Sequence, residues 1–373
     1  MRINILQGAF FPVPPIKGGA IEVSWYALGK EFSRQGHKVT HISKLDCNFS
    51  KSEIIDGVNH LRVRGNNSVK NSILLKVLEL PYVLRARKEM PVGDILVTHA
   101  FWAPLLFPKV RCGLQYIHVG RYPKGQLKFY NKAARFQVPT NSISNVCRKQ
   151  ISDSGQRIKT LPYPLTWKPS SQIDFNQKKK IILYAGRIHP EKGIKELIDA
   201  WINISEKNIN CWKLRLIGPW REEQGGGGKK FLDELKNLAK KSKNPVEFKN
   251  PIFDRELLKS EMENAKFFIY PSQAAYGETF GLAVLEAMSC GCIPIVSELP
   301  CFTDFITFGR DGFCVGEKRN ITNSIQKKLC EVLILSESNL NKIALSAWNR
   351  SKEYELEKVA KMYLDDFFLL LQK

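Results

Sequence analysis

Short apolar runs alternate with stretches of 3.6-residue hydrophobic spacing along almost the whole chain. Ile3–Leu6, Val39–Ile42, Ile95–Thr98, Leu114–His118 and Phe136–Pro139 read as strands. Between the first two, Ile21, Trp25, Leu28 and Phe32 fall on one helical face, and Gly36 follows as a C-terminal cap. Alternation of this kind predicts parallel sheets covered by helices. The pattern stops at Tyr163-Pro164-Leu165-Thr166-Trp167-Lys168-Pro169-Ser170-Ser171, which reads as a linker, and restarts with Ile181–Tyr184, Leu214–Ile217, Phe267–Tyr270 and Ile293–Val296. The expectation is an α/β chain of two doubly wound domains, residues 1–168 and 169–352. A C-terminal helix, 353–373, would cross back to the first. Such sheets bind ligands at the carboxyl ends of their strands, so two facing domains would place a site in the cleft between them.

A chain of 373 residues can bury a large core without disulfides or a structural metal. Its nine cysteines are an odd number, form no C-x-x-C pair and sit mostly among apolar residues, which argues for a reducing, cytoplasmic setting and against a zinc site. No run approaches the ~18 apolar residues needed to span a bilayer, and Met1–Gln7 is too short for the apolar core of a signal peptide. The expectation is a protein that does not cross the membrane.

The net charge of +21 is uneven. Residues 1–168 hold 26 Lys/Arg against 9 Asp/Glu, a net +17, and no acidic residue lies between Asp94 and Asp153. That asymmetry points to a polyanionic partner for the first half: anionic lipid head groups, an acidic glycolipid or nucleic acid. Read as a helix, Lys124–Arg135 mixes Lys124, Lys128, Lys132 and Arg135 with Leu127, Phe129 and Tyr130. With Arg121 it forms a patch suited to a membrane surface or an anionic acceptor.

Three segments carry candidate chemistry. Glu278-Thr279-Phe280-Gly281-Leu282-Ala283-Val284-Leu285-Glu286 follows a strand and enters a helix, whose N-terminal N–H groups favour an anion. Glu278 precedes that helix and Glu286 lies about a turn and a half into it, on the order of 10 Å away. Each carboxylate could accept hydrogen bonds from a pair of hydroxyls. In Gly186-Arg187-Ile188-His189-Pro190-Glu191-Lys192-Gly193, Arg187 and Lys192 suit a diphosphate, although a cation pair on an exposed loop would look the same. Gly18-Gly19, before the first helix, permits close backbone approach to a phosphate. Gly225–Gly228 lacks the Lys-Ser/Thr of a phosphate loop and reads as a mobile turn.

Taken together, the Gly18-Gly19 loop, the G-R-x4-K-G element, the E-x7-E element and Ala287-Met288-Ser289-Cys290-Gly291-Cys292-Ile293-Pro294-Ile295-Val296 resemble the retaining family 4 glycosyltransferases of GT-B architecture, in which two Rossmann-like domains face across a cleft. The resemblance implies that Arg187 and Lys192 bind the donor diphosphate, with Gly18 and Gly19 approaching it from the other domain. Glu278 would hold the sugar hydroxyls near the N–H groups of Phe280, Gly281 and Leu282, and Glu286 the ribose. His118, in Tyr116-Ile117-His118-Val119-Gly120-Arg121, would meet the sugar from across the cleft. Two stretches depart from the family pattern, Leu161-Pro162-Tyr163-Pro164-Leu165 and Phe248-Lys249-Asn250-Pro251-Ile252.

The implied reaction moves a hexose from a nucleotide diphosphosugar, a UDP-hexose ahead of GDP-mannose, with retention and without metal or other cofactor. The acceptor would be a glycan or lipid-linked glycan in cell-surface polysaccharide or lipopolysaccharide assembly, reached from the cytoplasmic face of the membrane. The alternatives are a sugar-nucleotide epimerase, whose pattern lacks the E-x7-E element, and a nucleic-acid-binding module, for which no RNA-binding aromatic or zinc-finger signature is present.

Overall fold

A computed structural model describes residues 1–67, 69, 71–151, 155–205, 211–274, 276–316 and 320–372. The chain divides into two compact units. Unit 1 comprises Met1–Thr166 with Tyr354–Lys373, and unit 2 comprises Trp167–Glu353.

Unit 1 is built on an eight-stranded sheet: β1 (Arg2–Leu6), β2 (Lys38–Lys44), β3 (Ser52–Ile55), β4 (Val58–Val63), β5 (Ile95–Thr98), β6 (Leu114–His118), β7 (Arg135–Val138) and β8 (Ile158–Thr160). The order is β3-β4-β2-β1-β5-β6-β7-β8, parallel throughout except at the β3–β4 hairpin. β1 is central because Ile3, Ile5 and Leu6 are buried on both faces of the sheet. The hairpin turns on Asp56-Gly57, both at positive φ (49° and 76°) as a two-residue turn requires. Helices α1 (Ala20–Arg34), α2 (Ser72–Glu89), α3 (Ala103–Leu106), α4 (Lys109–Cys112) and α5 (Asn141–Arg148) supply the crossovers.

Unit 2 carries an all-parallel sheet of β9 (Lys179–Ala185), β10 (Lys213–Ile217), β11 (Val246–Lys249), β12 (Ala265–Tyr270), β13 (Ile293–Val296) and β14 (Phe313–Cys314). Its order, β11-β10-β9-β12-β13-β14, reverses between β9 and β12. Helices α6 (Ile194–Ile202), α7 (Gly228–Ala239), α8 (Arg255–Asn264), α9 (Leu282–Ser289), α10 (Ile321–Leu333) and α11 (Glu337–Ser351) complete the unit. The last helix, α12 (Leu356–Leu371), belongs to unit 1. There Tyr363 packs edge-on against Trp25 and Phe367 against Phe32, at centroid distances of 5.2 and 5.8 Å. Both units are therefore Rossmann-like α/β layers.

One expectation fails. Lys124–Arg135 is not a helix: Gln126–Phe129 forms a single 3-10 turn, entered through Gly125 at φ +94°, and Arg135 opens β7. Arg121, Lys124, Lys128 and Lys132 are exposed, whereas Arg135 is buried and leaves the basic patch. Its Nη2 and Nε donate to the Asp366 carboxylate of α12 at 2.6 and 3.0 Å, and Tyr116 donates to the same group at 2.9 Å.

Candidate functional site

In an open parallel sheet, ligands bind outside the carboxyl ends of the strands where the order reverses. In unit 2 that point is flanked by the loops after β9 and β12, which contain Arg187, Lys192 and Glu278.

Glycines shape both loops. Gly193 sits at φ +68°, and a Cβ there would overlap the carbonyl oxygen of Pro271, so the loop after β9 lies directly on the loop after β12. Gln273 N–H donates to Glu191 O at 2.8 Å and ties them together. This contact brings Lys192 to Glu278, and the ammonium donates to Oε2 at 2.6 Å. Both side chains are largely withdrawn from solvent, 5% and 11% exposed. The Lys192 ammonium also lies 5.3 Å from the centroid of the Tyr270 ring. Burial first, and Glu278 beside it, push the Tyr270 phenol well above its ordinary pKa, so it stays protonated. Tyr270 stacks on Tyr184, whose hydroxyl donates to Arg187 O at 2.8 Å and fixes the start of the loop.

Arg187, half-buried, is the more exposed cation of the site. Its Nη1 donates to Gly225 O and its Nη2 to Glu191 Oε1, each at 2.7 Å. The glycine run read as a mobile turn is thus ordered at its first residue: Gly225, at φ +78°, presents its carbonyl to the guanidinium. α9 begins at the same edge. Gly281, at φ +94°, is its N-cap, and a Cβ there would strike Phe302. Phe280 is buried against Phe305 and Leu282 is buried in the first turn.

Glu286 is 3% exposed and is held by Arg255, the first residue of α8, whose Nη2 donates to Oε1. The Arg255 guanidinium lies over Trp167 at 4.2 Å, and Trp167 Nε1 donates to Ser289 Oγ at 2.9 Å. Arg255, Trp167, Tyr184, Tyr270 and Glu191 were not singled out by the sequence. Glu191 lies within the G-R-x4-K-G element, which was its available signal.

Unit 1 has the matching feature at β1 and β5. Gly18 and Gly19, at φ +74° and +101°, lie in the loop after β1, where the Glu22 carboxylate fills the space a side chain on Gly19 would take. Glu22 is buried, and burial raises its pKa. His118 ends β6 but is 2% exposed, with both ring nitrogens engaged. Gln137 donates through Nε2 to Leu161 O at 2.7 Å, so its Oε1 faces His118 Nδ1 and must accept. Nε2 is therefore the lone-pair nitrogen, and Tyr163 donates to it at 2.9 Å. Burial lowers the His118 pKa to about 4. His99, half-buried just past β5 with its ring centroid 6.3 Å from that of His118, is the more accessible imidazole.

Comparison with known proteins bears on unit 2 first. Residues 166–342 match the family described as glycosyl transferases group 1. The match spans Arg187, Lys192, Arg255, Glu278 and Glu286. Among relatives, the chain is 25% identical over 190 residues to a GDP-mannose:cellobiosyl-diphosphopolyprenol alpha-mannosyltransferase of Xanthomonas oryzae, covering 50% of this chain and 46% of the relative. It is 28% identical over 171 residues to the lipopolysaccharide 1,2-N-acetylglucosaminetransferase of Salmonella typhimurium, covering 43% and 42%. The chain thus spans less than half the length of these curated relatives. Among solved structures, Anabaena HepE in complex with UDP and glucose superposes with a TM-score of 0.73 at 15% identity, covering 99% of both chains. The pair of Rossmann-like domains is the GT-B fold expected from the sequence.

Proposed function

We propose that the chain is a retaining family 4 glycosyltransferase that moves a hexose from a nucleotide diphosphosugar to a glycan or lipid-linked glycan. The observation that carries this reading is the buried Lys192–Glu278 pair beside Arg187 at the switch point of unit 2. Lys192 has three donors and spends one on Glu278, so two remain for a diphosphate. Arg187 adds a planar fork at the same edge, and the first-turn N–H groups of α9 face the same side. Glu278 would take the sugar hydroxyls and Glu286 the ribose. In the reaction the anomeric C–O bond to the diphosphate breaks, an acceptor oxygen bonds to that carbon on the same face, and the acceptor proton passes to the departing phosphate. Arg187 and Lys192 stabilise the charge that grows on the leaving group, which favours the transition state over the bound substrate.

The acceptor class rests on the charge of residues 1–168 and on the relatives, one named for a diphosphopolyprenol-linked substrate and the other for lipopolysaccharide. No helix among the described residues is long and apolar enough to cross a membrane. The protein would work at the cytoplasmic leaflet as a peripheral protein, in cell-surface polysaccharide or lipopolysaccharide assembly. A UDP-hexose is the proposed donor, and HepE shows UDP accommodated by the same fold. A nucleotide-sugar panel, read by nucleotide release, tests the reaction, and a thermal-shift series with UDP, GDP and ADP tests the base. UDP should raise the Tm most. Absence of nucleotide release with every donor and a range of glycan and lipid-linked acceptors would overturn the reading.

A further inference from the structure

We propose that α2 docks the protein on an anionic lipid surface by burying a solvent-facing stripe of aliphatic side chains among the head groups. The inference rests on the peripheral-membrane reading above and names the element that carries it.

α2 is apolar on two faces. Tyr82, Val83 and Ala86 point into the core of unit 1. At about 100° per residue, Ile73, Val77, Leu80 and Leu84 fall within an arc of roughly 60° on the other side. Ile73, Val77 and Leu84 are 73%, 57% and 48% exposed, and Leu74 beside them is 44% exposed. A helix on the surface of a soluble unit ordinarily turns polar residues outward, so this face is inverted.

The rim identifies the occupant. Lys76 and Arg87 edge the stripe on one side, Arg85 and Lys88 on the other, and all four are exposed. The helix holds two acids: Glu79 is buried, and Glu89 is paired with Lys51. An aliphatic stripe bordered by cations matches the boundary of an anionic bilayer, where acyl chains meet phosphate. A second copy of this chain would bring the same four cations against these.

The stripe also joins the basic segment. The Lys76 ammonium lies 4.3 Å from the Phe101 ring centroid, Trp102 Nε1 donates to Lys76 O at 2.7 Å, and Tyr130 donates to Phe101 O at 2.9 Å. Next to Tyr130 come Phe129, 57% exposed, and Lys128. The start of α2 and the turn carrying Lys124, Lys128 and Lys132 are therefore fastened through one loop.

Co-sedimentation with vesicles of phosphatidylcholine, alone and mixed with phosphatidylglycerol, tests this on the full chain. The variant Ile73→Gln/Val77→Gln/Leu84→Gln alters only exposed positions and should keep the wild-type melting temperature and donor turnover on a soluble acceptor. Its binding to the mixed vesicles should fall about tenfold or more. Lys124→Glu/Lys128→Glu/Lys132→Glu should reduce binding chiefly at low salt. Wild-type binding unchanged by the glutamine variant would overturn the role of α2 and leave the membrane reading standing. Failure of the wild type to bind mixed vesicles at low salt would overturn both. A concentration-dependent dimer abolished by the glutamine variant, without vesicle binding, would make a second copy the occupant.

Discussion

Lys192 and Glu278 are joined across 86 residues in a place that costs both of them hydration. A buried ion pair adds little net stability, yet losing one partner strands the other at a cost of about 3–5 kcal/mol. Lys192→Ala should therefore lower both stability and turnover. Glu278→Gln keeps a hydrogen-bond acceptor for Lys192 and should cost less in unfolding free energy while turnover falls at least as far, as urea titration and initial rates would show. Equal turnover in Glu278→Gln and wild type would remove Glu278 from the reacting sugar. At the other carboxylate, Glu286→Ala should raise the donor KM, by about 1.5–3 kcal/mol in binding, with a smaller change in kcat. The glutamates and cations were legible because their spacing stands in one stretch of sequence. Arg255 was not, since the residue it serves lies 31 positions away. Arg135 was misread for the same reason: only Asp366, 231 residues later, makes it a core residue.

At the scale of elements, the apolar runs revealed every central strand, because strands buried on both faces leave no polar alternation to confuse them. β3, β4, β8, β11 and β14 were missed. They lie toward the sheet margins, and β3 alternates exposed with half-buried positions. The Asp56-Gly57 turn was the available sign of the β3–β4 hairpin. The loop after β9 depends on Gly193, which combines a left-handed backbone with the Pro271 carbonyl in the position of a Cβ. Gly193→Ala should cost roughly 1–3 kcal/mol in backbone strain and lower turnover by moving Lys192. Unaltered kinetics would show that the loop does not set the cation's position. Lys178 donates to Met262 O, Glu263 O and Cys290 O at 3.2, 2.7 and 2.8 Å, fastening the ends of α8 and α9.

For the molecule as a whole, unit 1 stores several neutral imidazoles. His41 and His60 stack 5.4 Å apart in the core, where burial drives His41 well below its ordinary pKa and His60 to about 4, with Arg62 adding to both shifts. His118 behaves alike. The unfolded chain takes up these protons near pH 6.5 and the folded chain does not, so stability is complete above that value and is lost as pH falls toward 4. Glu79, pushed up to about 7 by burial, works in the opposite sense. Burial also lowers His37 and His99 and also raises Glu22, so with five imidazoles against two carboxyls the Tm should fall between pH 7 and 5, and a flat profile would mean the rings are not held neutral. Activity should persist in EDTA, since the proposed charge stabilisation uses Arg187 and Lys192. Loss of activity reversed by Mg²⁺ would contradict it.

The placement of α12 sets an order of events during synthesis. Unit 2 is complete once Glu353 has emerged from the ribosome, but unit 1, begun first, still lacks the helix that covers Trp25, Phe32 and Tyr116 and neutralises Arg135. Residues 1–166 must wait with that surface uncovered while some two hundred later residues are translated. The half of the chain with the largest positive charge is therefore the last to finish folding, and the nascent protein has a long interval in which chaperones, or the polyanionic ribosome itself, can hold it open.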